Sequence, residues 1–335
     1  MEIAPQQRAI RITDSSQPSE ARRVALGFSD ELQFNETRRG EAGIIVTEAA
    51  RNILLHGRGG EIVLSAWNGD CKVLDVLALD KGPGMKNPAE CMRDGYSTAG
   101  TSGTGLGAIA RMASLLEVQT QDQSGTALLA RLGEGSALSR YFEVGAISIP
   151  VAGEQECGDS WAVHHGPGRS VFMVADGLGH GVAAAEASQE AVRIFHESVH
   201  LGPQEMLARI HDALKKTRGA AVAITEISTA TGAIRYSGVG NISAAVISGD
   251  KTRSMVSHNG TLGHTEGRVQ EFQYPWPERA LLVMHSDGLT ARWNLDRYPG
   301  LAAKHPQLIA GVLYRDFRRE RDDATVLVAR EVPHA

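Results

Sequence analysis

The first half of the chain alternates between helical and strand-like spacing of its hydrophobic residues. We expect a short strand at residues 10–12, a helix after Pro18 and a longer helix over residues 36–56. The apolar runs EIVLSAW and KVLDVLALD predict two strands, and a loop rich in glycine and proline, a helix from about Gly105 and a hairpin follow. This order predicts an α+β layer, in which a sheet carries helices on one face.

The second half is much richer in strand-like segments. Seven such runs (YFEVGAISIP, SVFMVAD, AVAITEIS, AIRYSGVG, ISAAVIS, ALLVMHS and ATVLVAR) surround two helical stretches near 180–200 and 203–216. This pattern predicts two packed sheets with helices outside. The composition changes near RLGEGSALSR, so we divide the chain into a domain at 1–135, a short linker at 136–140 and a second domain at 141–335.

Length and composition exclude several classes of protein. The 335 residues are 42% hydrophobic, which is enough for two cores, and the net charge of −5 is dispersed, so neither a nucleic-acid partner nor a membrane surface is expected. We find no signal peptide in the first eighteen residues and no apolar run that could span a bilayer. Three widely spaced cysteines argue against a disulfide framework, so a cytoplasmic location is expected.

Three features of the first half could carry chemistry. Glu48 and Asn52 are four residues apart and share one face of the predicted helix. A strand then ends at Asp80 and meets Gly82 and Gly84, and the glycine- and threonine-rich stretch STAGTSGTGLGAIARMA leads into a helix whose N-terminus can bind an anion. Each feature alone is ordinary, a solvated helix face or a turn. Their order is more specific.

This order resembles the Bergerat ATP-binding fold of the gyrase and histidine kinase superfamily over about residues 10–132, with DGYSTAGTSGTGLGAIARM as the most specific stretch. Within that superfamily, the short lid resembles the RsbT and RsbW type of serine kinases, which act on STAS-domain proteins. The resemblance implies that Asn52 coordinates the Mg²⁺ of ATP. It also implies that Glu48 accepts the proton of the attacking hydroxyl and that Asp80 binds the adenine amino group.

The same resemblance assigns the remaining nucleotide contacts. Thr126 would assist Asp80 through shared water, and Gly82 and Gly84 would let the backbone approach the base. The residues implied to wrap the triphosphate are Gly103, Thr104, Gly105, Leu106 and Gly107. Because no helical hairpin with a phosphoacceptor histidine precedes these motifs, a two-component histidine kinase is not expected, and His56 is interpreted as a helix-end residue.

Acidic residues mark the ends of four predicted strands in the second half. Asp159 begins one strand, Asp176 and Asp287 end two others, and Asp322 and Asp323 begin the last. Such a set of oxygen donors suits Mg²⁺ or Mn²⁺, and a pair of these metals would activate water for attack on phosphate. Glycines after Asp176 would leave the carbonyl of Gly177 free to act as a ligand. Each Asp-Gly pair alone is an ordinary turn.

The ordered motifs GD, DGLGHG, GVGN, SDGL and RDDATVLV resemble the metal-dependent type 2C serine/threonine phosphatases, in the SpoIIE and RsbX branch, over about residues 141–331. The resemblance implies an αββα sandwich with two Mg²⁺ or Mn²⁺ ions. Asp176 would bridge both ions, Asp287 and Asp322 would hold one, and Gly177 the other. The remaining implied assignments are Asp159 as an outer-shell or third-metal ligand, Asp322 in preference to Asp323 as the direct ligand, and His180 as either a phosphate contact or a structural residue.

Together the two resemblances imply one chain that both adds phosphate to a STAS-domain protein and removes it. The alternative is a regulated phosphatase whose N-terminal domain senses nucleotide or clamps a sigma factor without kinase activity. A sigma factor or a downstream signalling enzyme is a possible further partner, and the sequence does not predict the oligomeric state.

Overall fold

The computed structural model describes residues 5–69, 72–85, 105–133, 141–264 and 269–332. These residues form two compact units. The N-terminal unit contains the described residues of 5–138 together with 297–315, and the C-terminal unit contains those of 139–296 and 316–335. The linker predicted at 136–140 lies outside the described residues. The sequence reasoning did not foresee that residues 297–315 pack with the first half of the chain.

The N-terminal unit is a five-stranded antiparallel sheet in the order β1-β2-β3-β5-β4. Among the described residues, three helices come from the first half of the sequence, and a further helix, α6, comes from the cover segment, as we call residues 297–315. The elements are β1 (Gln6–Ile12), α1 (Gln17–Glu31), α2 (Glu36–His56), β2 (Gly60–Asn68), β3 (Lys72–Asp80), α3 (Gly105–Met112), β4 (Leu115–Thr120), β5 (Thr126–Gly133) and α6 (Pro306–Phe317, in this unit up to Arg315).

One face of this sheet packs on α1, α2 and α3, as the spacing of apolar residues predicts. Ile45 and Ile53 of α2 are fully buried against Ile62, Leu74 and Leu128 of the sheet. Every second residue of each strand points to this face, so the alternation along β2, β3 and β5 supplies the core.

The opposite face of the sheet is also buried, which corrects the expectation of helices on one face only. Leu77 and Leu79 of β3 are 0% and 2% exposed, and both contact α6 at Gly311. Ten consecutive residues of α6, from Pro306 to Arg315, are buried. A strand that is buried on both faces needs a continuous apolar run rather than an alternating one, and KVLDVLALD is such a run. The sequence reasoning did not predict this helix.

The C-terminal unit contains two five-stranded antiparallel sheets, in the orders β13-β10-β9-β8-β7 and β12-β11-β14-β15-β6. Their elements are β6 (Phe142–Ile149), β7 (Asp159–Gly166), β8 (Arg169–Gly177), α4 (Val182–Ser198), α5 (Pro203–Leu214), β9 (Ala220–Ser228), β10 (Ala233–Val239), β11 (Ser243–Ser248), β12 (Lys251–Met255), β13 (Phe272–Pro275), β14 (Leu281–His285) and β15 (Ala324–Glu331).

The two sheets of the C-terminal unit face each other across an apolar core. The ring of Phe142 on β6 meets that of Phe172 on β8 with centroids 5.3 Å apart, and Thr225 of one sheet contacts the sulfur of Met284 on the other. Helices α4 and α5 cover the sheet that contains β8 and bury Phe195 there. The predicted pair of packed sheets with helices outside is therefore confirmed. In the part of the chain that the structure describes, none of the helices has the length and apolar character needed to cross a membrane.

Candidate active sites

Helix α2 and the start of α3 bring the first group of predicted residues together. Asn35 caps α2 by accepting a hydrogen bond from the backbone N–H of Arg38 at 2.9 Å. Glu48 and Asn52 lie one turn apart on that helix and face the N-terminus of α3. A Cβ atom on Gly105 would lie 2.8 Å from Oε2 of Glu48 and 3.7 Å from Oδ1 of Asn52. The glycine therefore lets the N–H groups of α3 approach both side chains.

Asn52 carries an unsatisfied polar group at this point. Its Nδ2 atom is buried and has no hydrogen-bond partner among the described residues. An unpaired buried donor costs about 1–3 kcal/mol. A phosphate oxygen of a bound nucleotide would accept a hydrogen bond from Nδ2 and remove the cost, so this residue fits the nucleotide that the sequence implies. Glu48 forms an ion pair with Arg51 at 3.6 Å. Its side chain is still 27% exposed, so a second substrate can reach it.

Asp80 lies at the end of β3 in a half-closed setting. Its Oδ1 atom accepts the backbone N–H groups of Gly82 at 2.8 Å and Thr126 at 3.1 Å. Burial raises the pKa of Asp80, and these two donors and the charge of Arg315 oppose the rise. With both backbone donors on one oxygen, the carboxylate is held in a fixed orientation suited to reading a base edge.

The structure describes some, but not all, of the other residues predicted to contact the nucleotide. Gly82 packs against the carbonyl of His56, and Gly84 adopts a φ of +74° beside Gln121. The hydroxyl of Thr126 lies 3.3 Å from that of Thr120, next to Asp80. Leu106 and the buried Gly107 lie in the first turn of α3. Gly103 and Thr104 lie outside the described residues.

The second group of predicted residues meets at one end of the two sheets of the C-terminal unit. Asp159 and Asp176 stand opposite each other at the ends of β7 and β8. Asp287 follows β14, and Asp322 precedes its neighbour β15. Burial raises the pKa of Asp176 to about 7, and the charges of Asp287 and Asp322 contribute to this rise. Carboxylates that repel one another at a half-buried position suit a divalent cation, which would relieve the repulsion.

Asp159 is the most enclosed of these acids. It is 4% exposed, and its Oδ2 atom accepts the hydroxyl of Ser286 at 2.6 Å. Burial, and then the charge of Asp176, raise its pKa. Because the carboxylate of Asp159 is buried and already accepts a hydroxyl, it suits the outer-shell role better than direct ligation.

Asp322 and Asp323 differ sharply although they are adjacent. Asp323 is 2% exposed, and its two oxygens accept the backbone N–H groups of Val151 at 2.7 Å and Gly158 at 2.9 Å. It therefore ties the end of β6 to the loop before β7. Asp322 is only partly buried and is close enough to raise the pKa of Asp176. The carboxylate of Asp322 is thus the more accessible of the two, whereas that of Asp323 is occupied by structural hydrogen bonds.

Asn241 is a site residue that the sequence reasoning missed. Its Nδ2 atom donates to Oδ2 of Asp287 at 2.7 Å, and its side chain also bonds to Asp176. It follows Gly240, whose φ of +98° turns the chain at the end of β10. The motif GVGN contains it, but an asparagine after a strand-end glycine reads as an ordinary turn residue.

The loop after Asp176 is shaped by close packing. A Cβ atom on Gly177 would collide with the carbonyl oxygen of Ala184, so no other residue fits there. Beyond it in the chain, Leu178 and Val182 expose 55% and 64% of their surface. The imidazole Nδ1 of His180 lies 2.8 Å from Oε1 of Glu154. The sequence did not indicate this contact between His180 and a carboxylate.

Within the described ranges, no three His, Cys, Asp or Glu side chains already stand as close together as the ligands of a metal do. The carboxylates of these acids repel one another, but they are not yet arranged as the ligands of a bound ion are. The donor set, four carboxylates at one sheet end with the Gly177 carbonyl beside them, nevertheless fits two hard cations.

Comparison with known sequences matches two families to different parts of the chain. Residues 13–132 match the family described as "Histidine kinase-like ATPase domain", and residues 166–331 match "Stage II sporulation protein E (SpoIIE)". The chain thus resembles a fusion of an RsbT/RsbW-type ATPase domain with a SpoIIE/RsbX-type phosphatase domain, and the α+β fold class is confirmed.

Individual relatives divide in the same way. The serine/threonine-protein kinase RsbT of Bacillus subtilis (strain 168) is 29% identical over 125 residues, which are 37% of this chain and 94% of RsbT. The phosphoserine phosphatase RsbX of the same organism is 25% identical over 142 residues, 41% of this chain and 69% of RsbX.

A solved structure described as "The bacterial stressosome: a modular system that has been adapted to control secondary messenger signaling" is similar as well. It is 28% identical with a TM-score of 0.53 and covers 56% of this chain and 99% of its own. These similarities support the assignment of the C-terminal unit as a serine/threonine phosphatase domain and of the N-terminal unit as a kinase-like ATPase domain.

Proposed function

We propose that this chain phosphorylates and dephosphorylates a serine or threonine of a STAS-domain protein, one arm of the switch residing in each unit. The observation that supports this most is the joint presence, in one chain, of Glu48 and Asn52 at the start of α3 and of the acidic cluster around Asp176. The similarity to a kinase for one half and a phosphatase for the other points the same way.

In the kinase reaction, ATP bound with Mg²⁺ is the phosphoryl donor. Asp80 would hold the adenine, the N–H groups at the start of α3 would bind the phosphates, and Asn52 would ligate the Mg²⁺, whose charge would neutralise that of the phosphates. Glu48 takes the proton of the serine or threonine hydroxyl as its oxygen attacks the γ-phosphorus. The bond to the β,γ-bridging oxygen breaks, and ADP leaves with that electron pair.

In the phosphatase reaction, two Mg²⁺ or Mn²⁺ ions would supply an activated water at neutral pH. Asp176, Asp287, Asp322 and the Gly177 carbonyl would hold these ions, and Asn241 orients Asp287 from outside. The water oxygen bonds to phosphorus, the serine or threonine oxygen leaves and takes up a proton, and inorganic phosphate is released. His180, which contacts Glu154 and follows Asp176 by four positions, would contact the phosphate.

The test uses the STAS-domain protein encoded nearest this gene, followed by intact mass spectrometry. With ATP and Mg²⁺, the wild-type chain should add one phosphoryl group to the STAS-domain protein, whose mass then rises by about 80 Da. With Mn²⁺, after the nucleotide is withdrawn, it should remove that group. Glu48→Gln should abolish only the gain, and Asp287→Asn only the loss. Arg297→Met, an exposed change outside both sites, is the matched control.

The same experiment separates the alternative. If phosphate is removed but never added, the N-terminal unit senses nucleotide or holds a partner such as a sigma factor, and ATP should then change the release of that partner. If phosphate is neither added nor removed with any STAS-domain partner, the proposal is wrong.

A further inference from the structure

The turn before β9 places an arginine at the same sheet end as the acidic cluster around Asp176. Strand β9 lies between β8 and β10 in its sheet. Its first residues pair with the end of β8, with Ala220 opposite Gly177 and Ala221 opposite Asp176. Arg218 precedes Ala220 by two positions. It therefore lies just beyond the paired strand ends, alongside the loop that joins β8 to α4.

The turn after β10 packs on the other side of β9. A Cβ atom on Gly240 would collide with the Cβ atom of Ala221, so this turn lies directly against the first residues of β9. The next residue, Asn241, donates to Oδ2 of Asp287 at 2.7 Å. The segment that carries Arg218 thus enters the sheet between the end of β8 and the turn that bonds to Asp287.

Backbone hydrogen bonds fix the turn that carries Arg218. The N–H of Leu178 donates to the carbonyl oxygen of Gly219 at 3.0 Å, which ties this turn to the loop between β8 and α4. The N–H of Gly219 donates to the hydroxyl of Thr217 at 3.0 Å, and Nε2 of His264 lies 2.8 Å from the carbonyl oxygen of Arg218. The backbone of Arg218 is therefore held in place, while its side chain is exposed.

The guanidinium of Arg218 lies against the loop between β8 and α4. Gly179 in this loop has a φ of +93°, and a Cβ atom on it would lie 3.2 Å from Nη1 of Arg218. A side chain at Gly179 would therefore crowd the guanidinium. Because the residue is glycine, the cation can lie against the backbone only three positions from Asp176.

Arg218 differs from other exposed arginines of this unit in its partners. Within the described ranges, no Asp or Glu forms an ion pair with its guanidinium. The exposed Arg193, in contrast, pairs with both Glu190 and Glu197. The N–H donors of Arg218 are therefore available to an anion. A guanidinium can donate two parallel hydrogen bonds to a phosphate group, which fixes the orientation of that group as well as neutralising its charge.

We infer that Arg218 binds the phosphate group of the phosphorylated substrate in the C-terminal unit. The inference rests on the proposed function, because it needs a phosphomonoester at the acidic cluster around Asp176. The guanidinium donates hydrogen bonds to two phosphate oxygens and so orients the ester for attack by water. Since Arg218 recognises the phosphate itself, it acts in the same way on a phosphorylated protein and on a small phosphomonoester.

The experiment measures hydrolysis of p-nitrophenyl phosphate by the full-length protein with Mn²⁺, and its inhibition by inorganic phosphate. Arg218→Met should raise both the KM and the inhibition constant of phosphate by about tenfold, as expected for the loss of a hydrogen bond between charged groups. The value of kcat should fall by less than about threefold, because the lost contact is made by the bound substrate and the transition state alike. Arg218→Lys retains the charge without the planar fork and should recover part of the affinity.

Lys216→Met is the matched control, because it removes one positive charge from an exposed residue of the same turn. It should leave the KM and the inhibition constant within about twofold of wild type, since its charge is screened by solvent. The Mn²⁺ concentration that gives half-maximal activity should be the same in all variants, whereas a general loosening of the site would raise it. Thermal unfolding identifies any variant that fails to fold, in which case Arg218→Lys and Arg218→Gln give the answer.

The outcomes separate this inference from the proposed function. If Arg218→Met raises the KM for a phosphorylated STAS-domain protein but not for p-nitrophenyl phosphate, Arg218 contacts the protein and the inference is wrong. An unchanged inhibition constant for phosphate, or an equal effect of Lys216→Met, also refutes it. In each of these cases the wild type is still a phosphatase. If the wild type hydrolyses neither substrate with Mn²⁺ or Mg²⁺, the proposed function itself fails.

Discussion

The two sites are built in opposite ways. The metal site uses side chains, acids at the ends of adjacent strands whose positions follow from strand pairing alone, such as Asp159 opposite Asp176. The nucleotide site uses mainly backbone groups and a few side chains, and its strand end is fixed by Arg315 from the distant cover segment. A site made of paired strand ends is specified locally, whereas the nucleotide site depends on residues more than two hundred positions away.

The largest effect should come from the ion pair under the cover segment. Arg131→Met leaves the buried charge of Asp75 without its ion-pair partner and, among the described residues, with only the indole N–H of Trp67 as a side-chain donor, so the free energy of unfolding should fall by about 3–5 kcal/mol. The double variant Asp75→Leu with Arg131→Met should recover most of this loss. Urea unfolding followed by circular dichroism measures both.

The matched control is Arg193→Met, which breaks an exposed pair of contacts with Glu190 and Glu197 on α4. It should cost less than about 1 kcal/mol. An equal loss in Arg131→Met and Arg193→Met would contradict the account of the covered face.

Asp322 and Asp323 offer the sharpest test of the metal site. Asp322→Asn should weaken Mn²⁺ binding by about 100-fold or more, beyond the 10–100-fold that an outer contact costs, with little change in stability. Asp323→Asn replaces one acceptor oxygen by an amide donor facing the N–H of Val151 or Gly158, so it should mainly lower stability. Mn²⁺ titration and thermal unfolding of both variants decide the assignment, and a reversed pattern would exchange the two roles.

Asn241 should have a smaller effect of the same kind. Because it orients Asp287 through a 2.7 Å hydrogen bond, Asn241→Ala should lower Mn²⁺ affinity and phosphatase activity by about 10–100-fold. High Mn²⁺ should restore much of the activity, since the ligands themselves remain. Asn294→Ala, exposed and away from the acids, is the control. Activity that no Mn²⁺ concentration restores would place Asn241 in direct contact with substrate.

The smallest effect on activity should come from the exposed apolar residues of the loop that follows Asp176. Leu178→Ser should lower kcat/KM for a phosphorylated STAS-domain protein by about tenfold, because a protein substrate can bury that side chain. Hydrolysis of p-nitrophenyl phosphate, which is too small to cover it, should stay unchanged. Val256→Ser, similarly exposed elsewhere, is the control. Equal losses with both substrates would show that Leu178 shapes the site itself.

Sequence reasoning predicted which residues lie together where their proximity follows from local spacing. Glu48 and Asn52 are brought together by one helical turn, and the acids follow from strands that end on them. The packing of the cover segment could not be predicted, because its partners, Leu77 and Arg131, lie far away in sequence. The apolar run of β3 interrupted by Asp75 contained a hint, since a buried acid requires a partner. Asn241 and Glu154 were missed because each looks like an ordinary loop residue until the fold places it.

The most direct test of the central claim follows one phosphoryl group through the chain. Phosphorus-32 in the γ-position of ATP is supplied with Mg²⁺ and the STAS-domain protein, ATP is then removed, and Mn²⁺ is added. The account predicts that label passes from ATP to the STAS-domain protein and then to inorganic phosphate, with Glu48→Gln blocking the first transfer and Asp287→Asn the second. Release of phosphate from a pre-phosphorylated partner, without any transfer from ATP by the wild type, would contradict it and leave a nucleotide-responsive phosphatase.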